Sequence, residues 1–168
     1  MKNIKGNLFH TSCNALCITT NGFIKTNGEC VMGKGCAAEI AKQIPSIPRH
    51  LASLIKLHGN ITQIIQVGVP TVLAFPVKPV TTINDGTNVV NHMAHRIPIG
   101  GSVPGWAAKA NISIIIQSAH ELVALADKYN WTDVLIPRPG CGAGELNWSD
   151  VEPVLQTILD DRFSAITF

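Results

Sequence analysis

Short apolar runs alternate with helix-patterned segments along the whole chain, and that alternation restricts the fold more than any other feature. Residues 13–20 (CNALCITT), 61–66 (ITQIIQ), 71–77 (TVLAFPV), 133–136 (DVLI) and 164–168 (SAITF) read as strands bounded by turn signals such as Asn21-Gly22. Several are apolar at consecutive positions, the pattern of parallel strands covered on both faces. Between them lie residues 35–44, a helix that stops before Pro45, and residues 49–58, closed by Gly59. The strongest helix covers about residues 109–129, where Ile112, Ile115, Ile116, Ala119, Leu122, Val123 and Ala126 fall on one stripe. Ser149-x-x-Glu152 reads as a capping box that opens a last helix through Leu159. Strands and helices in this order predict an α/β layered domain with a mainly parallel sheet. No internal repeat or interdomain linker interrupts residues 1–168, which are expected to form one domain.

Charge narrows the function. Only 14% of the 168 residues are charged, and 13 Lys+Arg against 11 Asp+Glu give a net +2. A chain so close to neutral lacks the basic surface of a general nucleic-acid binder, so no direct sequence-specific nucleic-acid binding is expected. No apolar run approaches a membrane span, and residues 1–9 show no apolar signal region. Five cysteines at irregular spacings argue against a disulfide framework and predict a reducing, cytoplasmic setting. Cys-x-x-Cys is absent and His92-x-x-His95 lacks the Glu of a zinc-protease helix, so no metal site is expected.

Two glycine loops carry the chemistry. The first follows the 13–20 strand through Thr20-Asn21-Gly22, then runs Val31-Met32-Gly33-Lys34-Gly35-Cys36 straight into a helix. Such a junction lets backbone N–H groups and the positive helix end meet an anion; taken alone it is more often an ordinary helix cap. The second, Pro139-Gly140-Cys141-Gly142-Ala143-Gly144-Glu145, follows the 133–136 strand. Three glycines in five residues suit close approach of backbone to a ligand. Open α/β sheets bind ligands at the carboxyl ends of their strands, and both loops sit there. Together they suit a ligand with two linked phosphates.

Other residues leave alternatives open. Lys78 ends the 71–77 strand and is either an electrostatic catalyst or a solvated charge; His10 is an acid/base or an edge histidine. Trp106 and Trp148 stack on a base or sugar, or simply pack. Cys36 and Cys141 invite a nucleophilic role, but no local base partners them. Residues 79–105, without sustained periodicity, form either a lid over a site or a surface excursion.

Five segments in order resemble the macro domain, the ADP-ribose-binding module, over nearly the whole chain. They are Gly6-Asn7-Leu8, CNALCITTNG (13–22), VMGKGCA (31–37), FPVK (75–78) and PRPGCGAGELNW (137–148). The pattern is similar to macro domains of the terminal ADP-ribose glycohydrolase and antitoxin type, and to phage and bacterial ADP-ribose-1″-phosphate phosphatases. The resemblance implies a three-layer α/β/α fold around a mixed, mainly parallel sheet, with ADP-ribose or an ADP-ribosylated substrate as partner and no cofactor.

The same resemblance assigns residues. Asn7, followed by Leu8, stands where the family has an Asp for the adenine amino group, and keeps an amide oxygen but no charge. Thr20 and Asn21 fall beside the ligand, Asn21 matching a polar residue near the distal ribose. Gly33, Lys34, Gly35 and Cys36 match the first diphosphate loop; Gly140, Cys141, Gly142, Ala143 and Gly144 match the second. Lys78 matches the lysine that attacks the distal ribose in the glycohydrolase-like subgroup. The assisting acid of that subgroup falls at Gly144, with Glu145 one residue later. Lys78, Glu145 and Asn21 are thus the implied catalytic set, with Lys78 as stabiliser and Glu145 positioning water as the reduced form of that role. The implied activity is hydrolysis of an ADP-ribose conjugate. Its alternatives are a non-catalytic binder or sponge of an NAD-derived signal, and an unrelated α/β scaffold with structural glycines.

Overall fold

A computed structural model describes residues Met1–Phe168. Six strands form the main sheet: β1 (Lys2–Lys5), β2 (Ala15–Thr20), β3 (Gln63–Gln66), β4 (Thr71–Pro76), β7 (Val134–Pro137) and β8 (Phe163–Thr167). Their order is β1-β8-β7-β2-β4-β3, all pairs parallel except β3 with β4. The sheet is therefore mixed and mainly parallel.

The consecutive apolar positions now have a geometric reason. Successive side chains point to opposite faces of a strand, and each face here is covered. Ala15, Cys17, Leu73, Phe75, Val134 and Ile136 join the core under α3 (Ile112–Tyr129) and α4 (Trp148–Gln156), with Ile115, Leu122 and Leu155. Their neighbours Leu16, Ile18, Val72, Ala74 and Leu135 join the opposite core under α1 (Gly35–Gln43) and α2 (Ile47–His58), with Ile40 and Leu51. Three layers, α/β/α, follow. Phe75 is 0% exposed in β4, between β2 and β3. Phe75→Ala is expected to cost about 3–5 kcal/mol, read as a lower urea midpoint; an unchanged midpoint would contradict this packing.

Helix ends differ from the sequence reading in instructive ways. α3 starts at Ile112 because Asn111 caps it, its side-chain oxygen accepting the Ser113 N–H at 2.8 Å. It stops where Asn130 turns left-handed. Ser149 is not the cap of α4. Asn147 occupies that position, Asp150 N–H bonds its carbonyl, and Ser149 lies inside the first turn without a capping bond. Leu159 is buried beyond the helix, which ends at Gln156.

Residues 79–105 are more ordered than their pattern suggests. β5 (Thr81–Ile83) pairs antiparallel with β6 (Ser102–Pro104), and a 3-10 turn follows at Gly105–Ala107. Val89, Val103, Ala107 and Ala108 form a small separate core. Three-residue strands are too short to show a period, which is why the sequence reads as a loop. No helix is long and apolar enough to cross a membrane, and all five cysteines are free thiols.

Candidate functional site

Five parallel strands deliver their carboxyl ends to one edge of the sheet, and a cleft of about 1040 Å³ opens there. Its walls are the segments that leave those strands: Gly6 to Leu8 after β1, Thr20 and Asn21 at β2, Lys78 after β4, Arg138 after β7 and Phe168 after β8.

The first loop meets the cleft through a bare helix end. Lys34 precedes α1 in an extended conformation, no side chain caps the helix, and no acidic residue lies in its first turn. Its leading N–H groups are thus left for another acceptor, and the helix dipole favours an anion there. A Cβ built on Gly33 or Gly35 meets nothing within 4 Å, so the backbone face is open. Cys36 lines the same wall, half-buried, its Sγ 3.4 Å from Thr19 Oγ1.

The second loop divides its glycines between two jobs. At Gly144 an added Cβ would lie 2.5 Å from the Gly140 carbonyl oxygen and 2.6 Å from Ala110 Cβ. Gly140 has φ 76° and the same neighbour. Those two let the loop fold onto Ala110. Gly142 has nothing within 4 Å and faces the cleft. Only this one has the open backbone that ligand approach requires.

Lys78 joins the two loops. It is 5% exposed, yet lines the cleft, and its Nζ donates to the Ala143 carbonyl at 2.9 Å and the Trp106 carbonyl at 3.4 Å. Burial pushes its pKa down to about 8; the Glu145 charge partly offsets this and Lys34 adds to it. The proton is therefore held less tightly in the folded chain than in the unfolded one, where the ordinary value is 10.5. Unfolding takes up a proton between those values, so stability rises with pH across that window. Against a Lys78→Met reference, wild-type stability from urea unfolding should gain between about pH 8 and 10.5 and stay level below. A flat difference would show that Lys78 is not desolvated.

Solved structures share this fold. The chain matches the macrodomain of Mycobacterium tuberculosis DarG with a TM-score of 0.71 at 21% identity, covering 98% of this chain and 95% of that one. It matches the macrodomain of Thermus aquaticus DarG with a TM-score of 0.70 at 17% identity, covering 99% and 97%. Thermosipho africanus DarTG in complex with ADP-ribose matches with a TM-score of 0.68 at 18% identity; 98% of this chain aligns with 41% of that one. The chain has the macrodomain fold. No protein-family model matches it, and neither does any curated protein.

Within this fold most of the expected residues reach the cleft. Asn7, Leu8, Thr20, Asn21, Gly33, Lys34, Gly35, Cys36, Lys78, Gly140, Gly142, Ala143 and Gly144 all line it. Several are partly committed inside the protein. Asn7 Oδ1 accepts the Phe9 N–H at 2.9 Å. Asn21 donates to the Val31 carbonyl and accepts from the Phe23 N–H, each at 2.9 Å, so it braces the first loop. Thr20 Oγ1 is buried without a hydrogen-bond partner, a polar group at the wall that a ligand could satisfy.

Cys141 and Glu145 are not among the lining residues. Cys141 Sγ turns back to the Pro139 carbonyl at 3.4 Å, and burial raises its pKa, the opposite of a reactive thiolate. Glu145 Oε1 accepts the Asn91 N–H at 2.9 Å, and Oε2 lies 3.7 Å from Lys109 Nζ. Trp106 and His10 line the cleft, whereas Trp148 lies under the Arg138 guanidinium at 5.1 Å. His92 and Arg138 also line it, and the sequence reading gave neither a place in the site. Arg138 lies inside the PRPGCG segment, which was signal enough to find it. His92 carries no local signal, because a fold-back of 79–105 brings it in.

Proposed function

We propose that this macrodomain binds ADP-ribose and hydrolyses an ADP-ribose conjugate, either an ADP-ribosyl linkage or ADP-ribose-1″-phosphate. One observation carries the reading: a buried lysine stands at the wall of a cleft that also holds two open backbone loops. The diphosphate would take N–H groups of the α1 end and of the loop around Gly142. The bound ADP-ribose in the Thermosipho africanus DarTG neighbour supports the ligand class.

Lys78 supplies the chemistry in this reading. An ammonium has three donors, and two are spent on the Ala143 and Trp106 carbonyls. The third is left for an oxygen of the ligand at the distal ribose. Water attacks the anomeric carbon, the bond to the leaving group breaks, and the ammonium stabilises the charge gathering on the departing oxygen. That oxygen leaves with a proton drawn from the attacking water. Residues 1–168 act as one domain on this view, consistent with the first strand, β1, pairing directly with the last, β8. Free cysteines suit a reducing cytoplasm.

A second reading is a binder or sponge without turnover, and the placement of Glu145 favours it. The carboxylate that was to position water is engaged with Asn91 and Lys109. Calorimetry with ADP-ribose, followed by incubation with ADP-ribosylated peptide, ADP-ribosylated DNA and ADP-ribose-1″-phosphate, separates the two. Binding plus product from at least one substrate is the expected result. Binding without product leaves the sponge, and no binding removes both.

A further inference from the structure

Glu145 reaches away from the ligand cleft and into the 79–105 segment. Its Oε1 accepts the Asn91 N–H across 54 positions of chain. Its Oε2 is buried with no hydrogen bond, and the Lys109 ammonium stands 3.7 Å away. The backbone at Glu145 is left-handed at φ 60°, a conformation that a non-glycine residue keeps only when its surroundings hold it. Lys109 lies where the segment rejoins the main fold: its own N–H donates to the Asn88 carbonyl at 2.8 Å, beside the Val89–Ala108 bridge. One carboxylate therefore ties the second glycine loop to the middle of the segment and to Lys109, just past its end.

Residues in and just beyond the segment face the ligand cleft. His92, next to Asn91, lines the cleft, and so does Trp106, 37% exposed, whose carbonyl holds Lys78. Gly105 before it is hemmed in by the carbonyls of Pro79, Asn21 and Val80, which fixes the backbone that carries Trp106. An imidazole and an indole on the cleft wall offer a ring face and directional hydrogen bonds, which suit a planar, polar group.

The geometry points to Glu145 as a positioning residue that latches the 79–105 segment over the cleft, and to His92 and Trp106 as the residues that select a planar, polar leaving group on the distal ribose. The selection half rests on the ADP-ribose reading above; the latch does not.

Trypsin tests the latch without any ligand, because Arg96 is exposed in the segment. Glu145→Ala should speed cleavage after Arg96 by about tenfold as the segment opens. Glu145→Gln keeps the acceptor for Asn91 and should cleave like wild type. It should also recover most of the turnover lost in Glu145→Ala, which a carboxylate acting as acid or base could not do. Equal cleavage of all three proteins, or a Gln variant cleaved as fast as the Ala variant, overturns the latch. For selection, His92→Ala and Trp106→Leu should raise KM for an aryl ester of ADP-ribose by about tenfold and leave ADP-ribose-1″-phosphate unchanged. Equal changes on both substrates, or none, overturn it. A wild-type protein that binds no ADP-ribose also overturns selection and the functional reading with it, while the trypsin result still decides the latch.

Discussion

Lys78→Ala is expected to lower kcat at least about 100-fold while changing the ADP-ribose Kd by less than about tenfold, the signature of a charged donor used mainly in the transition state. The asymmetry follows from the geometry. The diphosphate contacts proposed for the cleft come from backbone N–H groups, which the substitution leaves in place. The ammonium sits at the other end, fixed by the Ala143 and Trp106 carbonyls. A pH profile gives an independent readout. Burial lowers the Lys78 pKa to about 8, so the wild-type kcat should fall as pH rises through about 8 and the ammonium is lost. A rate that climbs through the same pH would mean that the neutral amine is the working form, as a nucleophile. Full turnover by Lys78→Ala would remove Lys78 from the reaction altogether.

The second large effect separates the glycines of the second loop. Gly142→Trp should weaken ADP-ribose binding at least about 100-fold, because an indole would fill the open face where a phosphate is to lie. Its stability should match wild type, since nothing lies within 4 Å of the new Cβ. Gly144→Ala should behave in the opposite way. One methyl group there meets the Gly140 carbonyl and Ala110 at 2.5 and 2.6 Å, and overpacking of this kind costs about 3 kcal/mol. Calorimetry and urea unfolding on the two variants check both halves. If Gly142→Trp binds normally, the loop is structural and the scaffold alternative regains its force.

These two glycines also show where sequence reasoning stops. Three glycines in five residues after a strand marked the loop as special, and the reason given was close approach to a ligand. Only Gly142 has the space for it. Gly140 and Gly144 are small because Ala110, 30 and 34 positions earlier in the chain, packs against them. A contact between distant residues leaves no local pattern. Glu145 teaches the same lesson. From its place beside the glycine loop it was expected to face the ligand; a left-handed backbone sends its carboxylate to Asn91 instead. Ser149 fits the spacing of a capping box, yet Asn147 two residues earlier takes the cap position.

The layered core was legible throughout. Consecutive apolar residues in β2, β4 and β7 meant two covered faces, and the burial of Leu16, Cys17, Leu73 and Ala74 agrees. The order of strands and helices, the glycine junction before α1 and the stripe on α3 were likewise written locally, because each depends on neighbours within a few residues. Tertiary structure alone decided which strand ends meet, and so which side chains share the cleft. It buried Lys78 and thereby weakened its hold on a proton, folded 79–105 back to bring His92 to the wall beside Trp106, and turned Glu145 away from the cleft toward Asn91. Desolvation, side-chain direction and contacts across dozens of residues depend on the packed chain as a whole, so no window of sequence contains them.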